Sequence, residues 1–458
     1  MDYKLLSGAL AHRMKNILLE CIGSNQKGFL KGRFIGENTR LLYDIMEYLI
    51  LKQKPGLALM VDFEKAFDSL EYKYIDKVLE KYNFGPIYRK WFNVLYNGTN
   101  SCVINNGHFS RFFALGRGSR QGDPWSPYLF ILCAEPLAQS IINSQNITGI
   151  KIGTKIYKIG QYADDTFILL DGQHNSLREV MDTMQKFSKC SGLKINMDKT
   201  NAIWLGSKAG CEDKLCEDLN LTWTDSFTLL GLHFEAKLTN MTETNFVAKI
   251  GKVENILGFY SKLNLTLIGK ICVIKTIIIP IFIHILTVLP TPTQTFIERL
   301  EKIIKQFLWK DGKVQISLEQ LALDIGDGGL KLTKFNVLDK ALKITWIEKL
   351  YSTSGDWQEL CKHVMGETDK NQVWELDHKS LRKYAQTTKS SFWKNVIISW
   401  SDYTKNMEEM TSICKRPIWN SFFITNNNLK ALKQKGVNKG CKLMVDLVNP
   451  FTSQFWSH

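Results

Sequence analysis

"QYADDTFILL", Gln161–Leu170, sets two carboxylates, Asp164 and Asp165, directly against an apolar run from Phe167 to Leu170. The run has the length and composition of a buried strand. Adjacent like charges repel, and desolvating them costs on the order of several kcal/mol. Something positive must offset that cost, and a divalent cation is the obvious candidate.

An earlier stretch repeats the pattern. In "LMVDFEKAFDS", Leu59–Ser69, Asp62 follows the apolar run "LALMV". If the two strands lie side by side, Asp62, Asp164 and Asp165 share one sheet edge. Three carboxylates there make a hard oxygen site suited to Mg²⁺. Two such ions, about 4 Å apart, activate an attacking hydroxyl and stabilise a leaving pyrophosphate. The plainer alternative is that these aspartates only cap helices or close turns. That alternative is preferred for two others: Asp68 precedes a helical pattern and reads as a cap, and Asp171 before Gly172 reads as a turn.

The 458 residues allow a sizeable core, and 44% hydrophobic with 11% aromatic content is globular rather than disordered. The net charge of +14 calls for an acidic partner, nucleic acid first and an anionic membrane surface second. Ten cysteines are scattered without zinc-site spacing, which speaks for reduced intracellular thiols. The N-terminal "MDYKLLSGALAHRMKNIL" lacks the apolar core of a secretory signal, so no secretion is expected. The most apolar run, Val273–Pro290, is broken by Lys275, Pro280 and His284. It falls short of the roughly 20 uninterrupted residues of a membrane span and reads as a buried helix pair, so no membrane partner is expected.

Helical periodicity marks "LLYDIMEYLILKQ", "SLEYKYIDKVLEKYNF", "IYRKWFNVLY", "SPYLFILCAEPLAQSII" and "SLREVMDTMQKFSKCSG", the last ended by Gly192. "SCVINNGHFSRFFAL" reads as a hairpin turning at Asn105–Gly107, and "GIKIGTKIYKIGQYADDTFILLD" as a chain of short strands. From about residue 240 helices dominate. "TFIERLEKIIKQFLW" puts Phe296, Leu300, Ile303, Ile304, Phe307 and Leu308 on one face. "DIGDGGLKL" suggests a boundary, and the stretch from Glu348 onward is helical but otherwise uninformative.

Five segments, "VDFEKAFDS", "RGSRQGDPWSPYLF", "QYADD", "GLKINMDKTN" and "LLGLHF", occur in the order and spacing of reverse transcriptase motifs A to E. Upstream, "QKGFLKGRFIGENTR" resembles the fingers motif of non-LTR, LINE-type retrotransposon enzymes. Downstream, "LIGKICVIKTIIIPIF", "FLWK" and "GGLKL…ALKITWIEKL" resemble their thumb and the region after it. The resemblance implies an α+β right-hand polymerase. Its parts would be partial, truncated fingers (1–59), a palm of antiparallel sheet plus helices (60–235), a helical thumb (236–345) and a helical C-terminal segment (346–458). It implies RNA-directed DNA synthesis with an RNA template, a DNA primer and dNTPs, two Mg²⁺ ions with Mn²⁺ as substitute, and a place in nucleus and cytoplasm.

The resemblance also assigns roles. Asp62, Asp164 and Asp165 match the metal-binding triad. Phe67 stands at the steric-gate position, where a ring collides with a ribose 2′-hydroxyl; its alternative is a core phenylalanine. Gly118 and Gly122 would let the backbone approach template and nucleotide, with Arg117 and Gln121 as polar contacts. Lys199 matches the motif D lysine that neutralises or protonates the leaving pyrophosphate. Arg33 would reach a template or triphosphate group, and "LLGLHF" would be the primer grip. Trp125 departs from the family's usual Leu or Ile, and the segment after "FLWK" is less basic than expected. The upstream endonuclease and the C-terminal Cys/His cluster of relatives are not legible, which suggests a chain short at both ends. A viral RNA polymerase shares the palm, but "YADD" and Phe67 speak against it; a group II intron maturase is nearer, but the region after Pro290 is LINE-like. From another class, the rival is a decayed transposon remnant that binds nucleic acid without polymerising.

Overall fold

The computed structural model describes residues 2–310, 314–352, 356–365, 373, 376 and 378–409. The chain divides into two compact units, Met1–Thr239 and Asn240–His458.

The first unit opens with helices α1 (Asp2–Cys21) and α2 (Ile35–Leu51) and strand β1 (Pro55–Val61). Three helices follow, α3 (Ala66–Ser69), α4 (Tyr72–Lys81) and α5 (Pro86–Tyr96). Short strands β2 (Asn100–Ser101), β3 (Ile104–Asn105), β4 (His108–Phe109) and β5 (Phe113–Ala114) form nested hairpins turning at Asn106 and Gly107, both at positive φ. Then come α6 (Ser126–Asn143), β6 (Ile150–Ile152), β7 (Lys155–Tyr157), β8 (Ile159–Tyr162), β9 (Asp165–Leu170), α7 (His174–Ser191), β10 (Asn201–Gly206), β11 (Thr222–Trp223) and the hairpin β12 (Ser226–Leu229)–β13 (Leu232–Glu235).

The main sheet runs β11-β10-β1-β9-β8. All its pairs are antiparallel except the edge pair β10–β11, a parallel addition to the expected antiparallel sheet. Side chains alternate across a strand. Leu57, Leu59 and Val61 therefore enter one core with Leu137 and Ile141 of α6 and Leu177, Val180 and Met184 of α7. Ala58 and Met60 point to the other face and are buried as well. A second core joins α1, α4, α5 and α6 around Trp125, whose ring meets Tyr88, Phe92 and Tyr96 edge-on at 5.5, 6.0 and 6.2 Å. The large ring at this position is thus accommodated by an aromatic cage.

The second unit is helical, with α8 (Met241–Ser261), α9 (Leu267–Val273), α10 (Ile279–Val288), α11 (Gln294–Trp309), α12 (Leu318–Leu321), α13 (Phe335–Ser352), α14 (Asp356–Met365), α15 (His378–Thr387) and α16 (Ser391–Glu409). The expected helix pair in the apolar run is one helix. A π-helical segment, Ile274–Ile278, joins α9 to α10, and the 22 residues Leu267–Val288 run without a break. The wide turn ahead of Pro280 accommodates a ring that has no N–H to donate. The helix is long and apolar enough to cross a membrane, contrary to the expectation of too short a stretch, yet 56% of its most apolar window is buried inside the protein. Phe282 and Phe296 pack with Phe335 at 5.3 and 6.1 Å.

The α11 face is as expected, with Ile297 added and Ile303 only half-buried. "DIGDGGLKL" lies inside the second unit and marks no boundary. The region from Glu348 is more informative than its sequence: Trp357 stacks on Trp393, with Trp346 edge-on to both.

Candidate active site

The register of β1 against β9 builds the carboxylate edge. Val61 pairs with Thr166, so the next step sets Asp62 opposite Asp165. On the other side Tyr162 pairs with Asp165, which leaves Ala163 and Asp164 as a two-residue turn. Ala163 has φ +55°, a left-handed value that L-residues adopt at a cost. Asp164 and Asp165 are exposed and Asp62 is half-buried. Partial desolvation, then the charges of Asp164 and Asp62, raise the pKa of Asp165. Among the described residues no Lys or Arg forms an ion pair with any of the three. Nor do three His, Cys, Asp or Glu side chains converge there into a finished cage. The fit to a divalent ion rests on donor chemistry: hard oxygens on one edge, mutually repelling, with no ion pair to a Lys or Arg among the described residues.

The segment carrying Lys199 is fastened to this edge. Glu64 N–H donates to Lys194 O (2.9 Å), Asn196 N–H to Asp62 O (2.8 Å), and Asp62 N–H to Thr200 Oγ1 (3.3 Å). Lys199 itself is exposed. The "RGSRQGDP" loop runs along the stretch after Asp62. Gly118 N–H donates to Leu70 O (2.8 Å), Ser119 N–H to Phe67 O (2.6 Å), and the backbones of Arg117 and Glu71 pair as an antiparallel β-bridge. Gly118 and Gly122 sit at φ +94° and +76°, which explains glycine at both. Arg117, Gln121 and Gly122 are exposed. Thus the four motif segments up to Lys199 close around one sheet edge, while "LLGLHF" forms the β12–β13 turn, with Phe227 stacked on Phe234 at 5.0 Å.

Phe67 is half-buried. Its ring stacks on Phe130 (4.4 Å, 25°) and lies edge-on to Phe29 (6.5 Å, 82°). One face of the ring therefore packs in the core, and the ring is held in a fixed orientation.

Two expectations need correction. Asp68 caps nothing; it lies exposed inside α3, and the cap position of α4 is Glu71, whose side chain makes no cap bond. Arg33 does not reach outward. Its guanidinium donates to the carbonyls of Ile22 (2.8 Å), Gly23 (2.5 Å) and Gln26 (2.6 Å), just past the C-terminus of α1. Desolvation lowers its pKa, opposed by Glu135 and Glu37. A basic residue in a loop shows its charge in sequence but not its direction. Asp171 is the turn residue expected, accepting from Gln173 N–H at 3.1 Å.

Sequence reasoning missed two groups. Asp123 is buried and accepts from Tyr3 Oη (3.2 Å) and Tyr96 Oη (3.3 Å); burial first, then the Asp123 charge, pushes Tyr3 up to about 12. The stretch 25–27 is the other. It lies parallel to β8, with Gln161 N–H donating to Asn25 O (2.9 Å) and Lys27 N–H to Gln161 O (2.8 Å). The amides of Asn25 and Asn38 close on Gln161 as well. Four amide side chains in and beside buried elements were the available signal.

The family described as reverse transcriptase (RNA-dependent DNA polymerase) matches residues 1–234. The transposon TX1 uncharacterized 149 kDa protein of Xenopus laevis is 28% identical over 342 residues, 72% of this chain and 25% of that protein. The retrovirus-related Pol polyprotein from the type-2 retrotransposable element R2DM of Drosophila melanogaster is 24% identical over 334 residues, 70% of this chain and 30% of that one. The chain thus spans a quarter to a third of the length of these relatives. Among solved structures, apo telomerase from Candida tropicalis is similar with a TM-score of 0.42 and 10% identity, covering 87% of this chain and 61% of that one. With half its length matched and retrotransposon proteins among its relatives, the chain belongs to the reverse transcriptase family, as a LINE-type member.

Proposed function

We propose that this chain copies RNA into DNA by extending a primer 3′-end with deoxynucleotides, as the catalytic part of a retrotransposon polymerase. The observation that carries this is the β1–β9 register, which sets Asp62 opposite Asp165 with Asp164 in the adjoining turn, none of the three in an ion pair among the described residues. Asp62, Asp164 and Asp165 would hold two Mg²⁺ ions, which supply charge neutralisation and activation of the attacking 3′-hydroxyl when bound. The protein's own part is positional. The motif B backbone at Gly122, exposed and with open space where a Cβ would stand, offers a surface without a side chain for nucleotide or template to lie against, while Gly118 lets the loop close on the Asp68 backbone. Phe67, braced by Phe130, presents a rigid edge at which a 2′-hydroxyl is excluded. Lys199, exposed on the segment tied to Asp62, is the candidate proton donor to the leaving pyrophosphate.

The basic surface, from a net charge of +14, favours the nucleic acid backbone without reading its sequence. The test is extension of a DNA primer annealed to RNA, with Mg²⁺, by the parent chain and by Asp164→Asn. The parent is expected to extend, and the variant to lose extension by at least about a thousandfold while retaining primer–template affinity. Equal extension by both would show that the carboxylate edge is not the site. Binding without extension by the parent would favour a nucleic-acid-binding remnant.

A further inference from the structure

The buried amide of Gln26 is held in a way that the polymerase reading leaves unexplained. Its Oε1 accepts from two backbone donors, Ala163 N–H and Gly28 N–H, each at 2.8 Å. Its Nε2 donates to Ala163 O at 3.3 Å. One side chain thus satisfies both backbone groups of the residue immediately before Asp164. The orientation of the amide is fixed by its partners, since a flipped group would set NH₂ against two N–H donors. Gln26 is 1% exposed and Ala163 5%, so water cannot take over these bonds.

The geometry continues a ladder. The backbone of residues 25–27 pairs in parallel with Gln161. Two residues beyond Gln161, just past the end of β8, the pairing backbone has turned away, and the Gln26 amide takes the place of the next peptide group. Gly28 permits this: a Cβ there would lie 2.6 Å from Ala163 N. The residue so gripped is the one at φ +55°, the conformation that needs outside support.

We propose that Gln26 is a positioning residue, a latch through which the N-terminal segment sets the Ala163–Asp164 turn and thereby the carboxylate edge. The activity consequences rest on the polymerase reading; the latch itself does not, and it is measured separately.

The experiment compares the full chain with Gln26→Met, which keeps length without hydrogen bonds, and Gln26→Glu. The first readout is hydrogen exchange of the peptide spanning residues 161–166, taken without metal or substrate. Faster exchange in Gln26→Met, at unchanged exchange in α6 and α7, is expected; unchanged exchange at 161–166 overturns the latch whatever the activity. The second readout is primer extension against Mg²⁺ concentration. Gln26→Met is expected to lose about ten- to a hundredfold in kcat, with a raised Mg²⁺ midpoint and little change in KM for dNTP.

Gln26→Glu gives a signature that a packing role would not. Ionised, it keeps the acceptor but meets Ala163 O with a second oxygen. Protonated, it regains the donor. Burial and the facing Ala163 O raise its pKa, against the Arg33 guanidinium on the residue 26 carbonyl and with the neighbouring Lys27 charge paired to Glu37. Compared with the parent chain at each pH, so that Asp164, Asp165 and the intrinsic exchange rate cancel, its protection at 161–166 should recover as pH falls from 8 to about 6, while Gln26→Met stays unprotected. Identical pH behaviour of the two variants would contradict the proposal. If Gln26→Met does not fold, the Glu variant alone still decides it through this pH dependence.

Discussion

Replacing Arg33 by Met separates a structural role from the nucleotide contact that its motif suggests. The guanidinium donates to three carbonyls, those of Ile22 and Gly23 just past the end of α1 and that of Gln26. A cation there also meets the negative end of the α1 dipole. Each bond contributes about 1 kcal/mol net, and because Arg33 is only half-buried, water partly replaces what is lost. The sum is about 2–3 kcal/mol. For a unit of this size that lowers the melting temperature by roughly 4–12 °C. Thermal unfolding followed by circular dichroism reads this directly, and steady-state extension gives KM for dNTP on the same preparation. Met keeps the volume of the aliphatic stem, so the loss is assigned to the hydrogen bonds. An unchanged melting temperature together with a several-fold rise in KM would refute the reasoning and return Arg33 to the triphosphate.

Phe67→Val should raise ribonucleotide incorporation relative to deoxynucleotide, and should also cost about 1–2 kcal/mol in stability because the stack on Phe130 is lost; an unchanged incorporation ratio would leave only the core role. Asp165 has a raised pKa, so the folded state binds its proton more tightly than the unfolded state, and its contribution to stability falls as pH rises through the folded pKa. In chelator, melts between about pH 4 and 7 should therefore show a stabilisation toward acid that Asp165→Asn lacks and that Mg²⁺ at neutral pH replaces; coincident pH curves for the two proteins would count against the repulsion. Trp125→Leu should destabilise by about 3 kcal/mol, because the cage of Tyr88, Phe92 and Tyr96 fits the larger ring; a neutral melt would mean that the cage closes over the smaller side chain.

The carboxylate edge was legible because strand pairing and carboxylate chemistry both follow local pattern. An apolar run ending in aspartate needs a partner strand, and two such runs pair as β1 and β9. Direction was not legible. Arg33 and Gln26 stand seven residues apart in one motif, and only the fold shows that one turns inward to carbonyls while the other grips a turn 137 residues away. Asp68 misled because a short helix intervenes before α4, and nothing in "AFDSLEY" marks where one ends and the next begins. The unbroken helix across Pro280 was hidden by the ordinary rule that proline interrupts, which a π turn evades.

The central position of β1 carries a cost at the ribosome. It is the first strand of the main sheet to be made, yet both its neighbours, β9 and β10, come more than a hundred residues later. At ordinary elongation rates its two edges wait roughly 5–30 s for a partner. During that interval "LALMV" is an aggregation-prone segment of high β-propensity. Charges and a proline bracket it: Lys52, Lys54 and Pro55 before, Asp62 and Glu64 after. Such flanking residues oppose intermolecular pairing of nascent strands. Asp62 thus serves the chain twice, once at the edge of the finished sheet and once before the sheet exists, and a chain in which Asp62 is neutralised loses a gatekeeper along with a carboxylate of that edge.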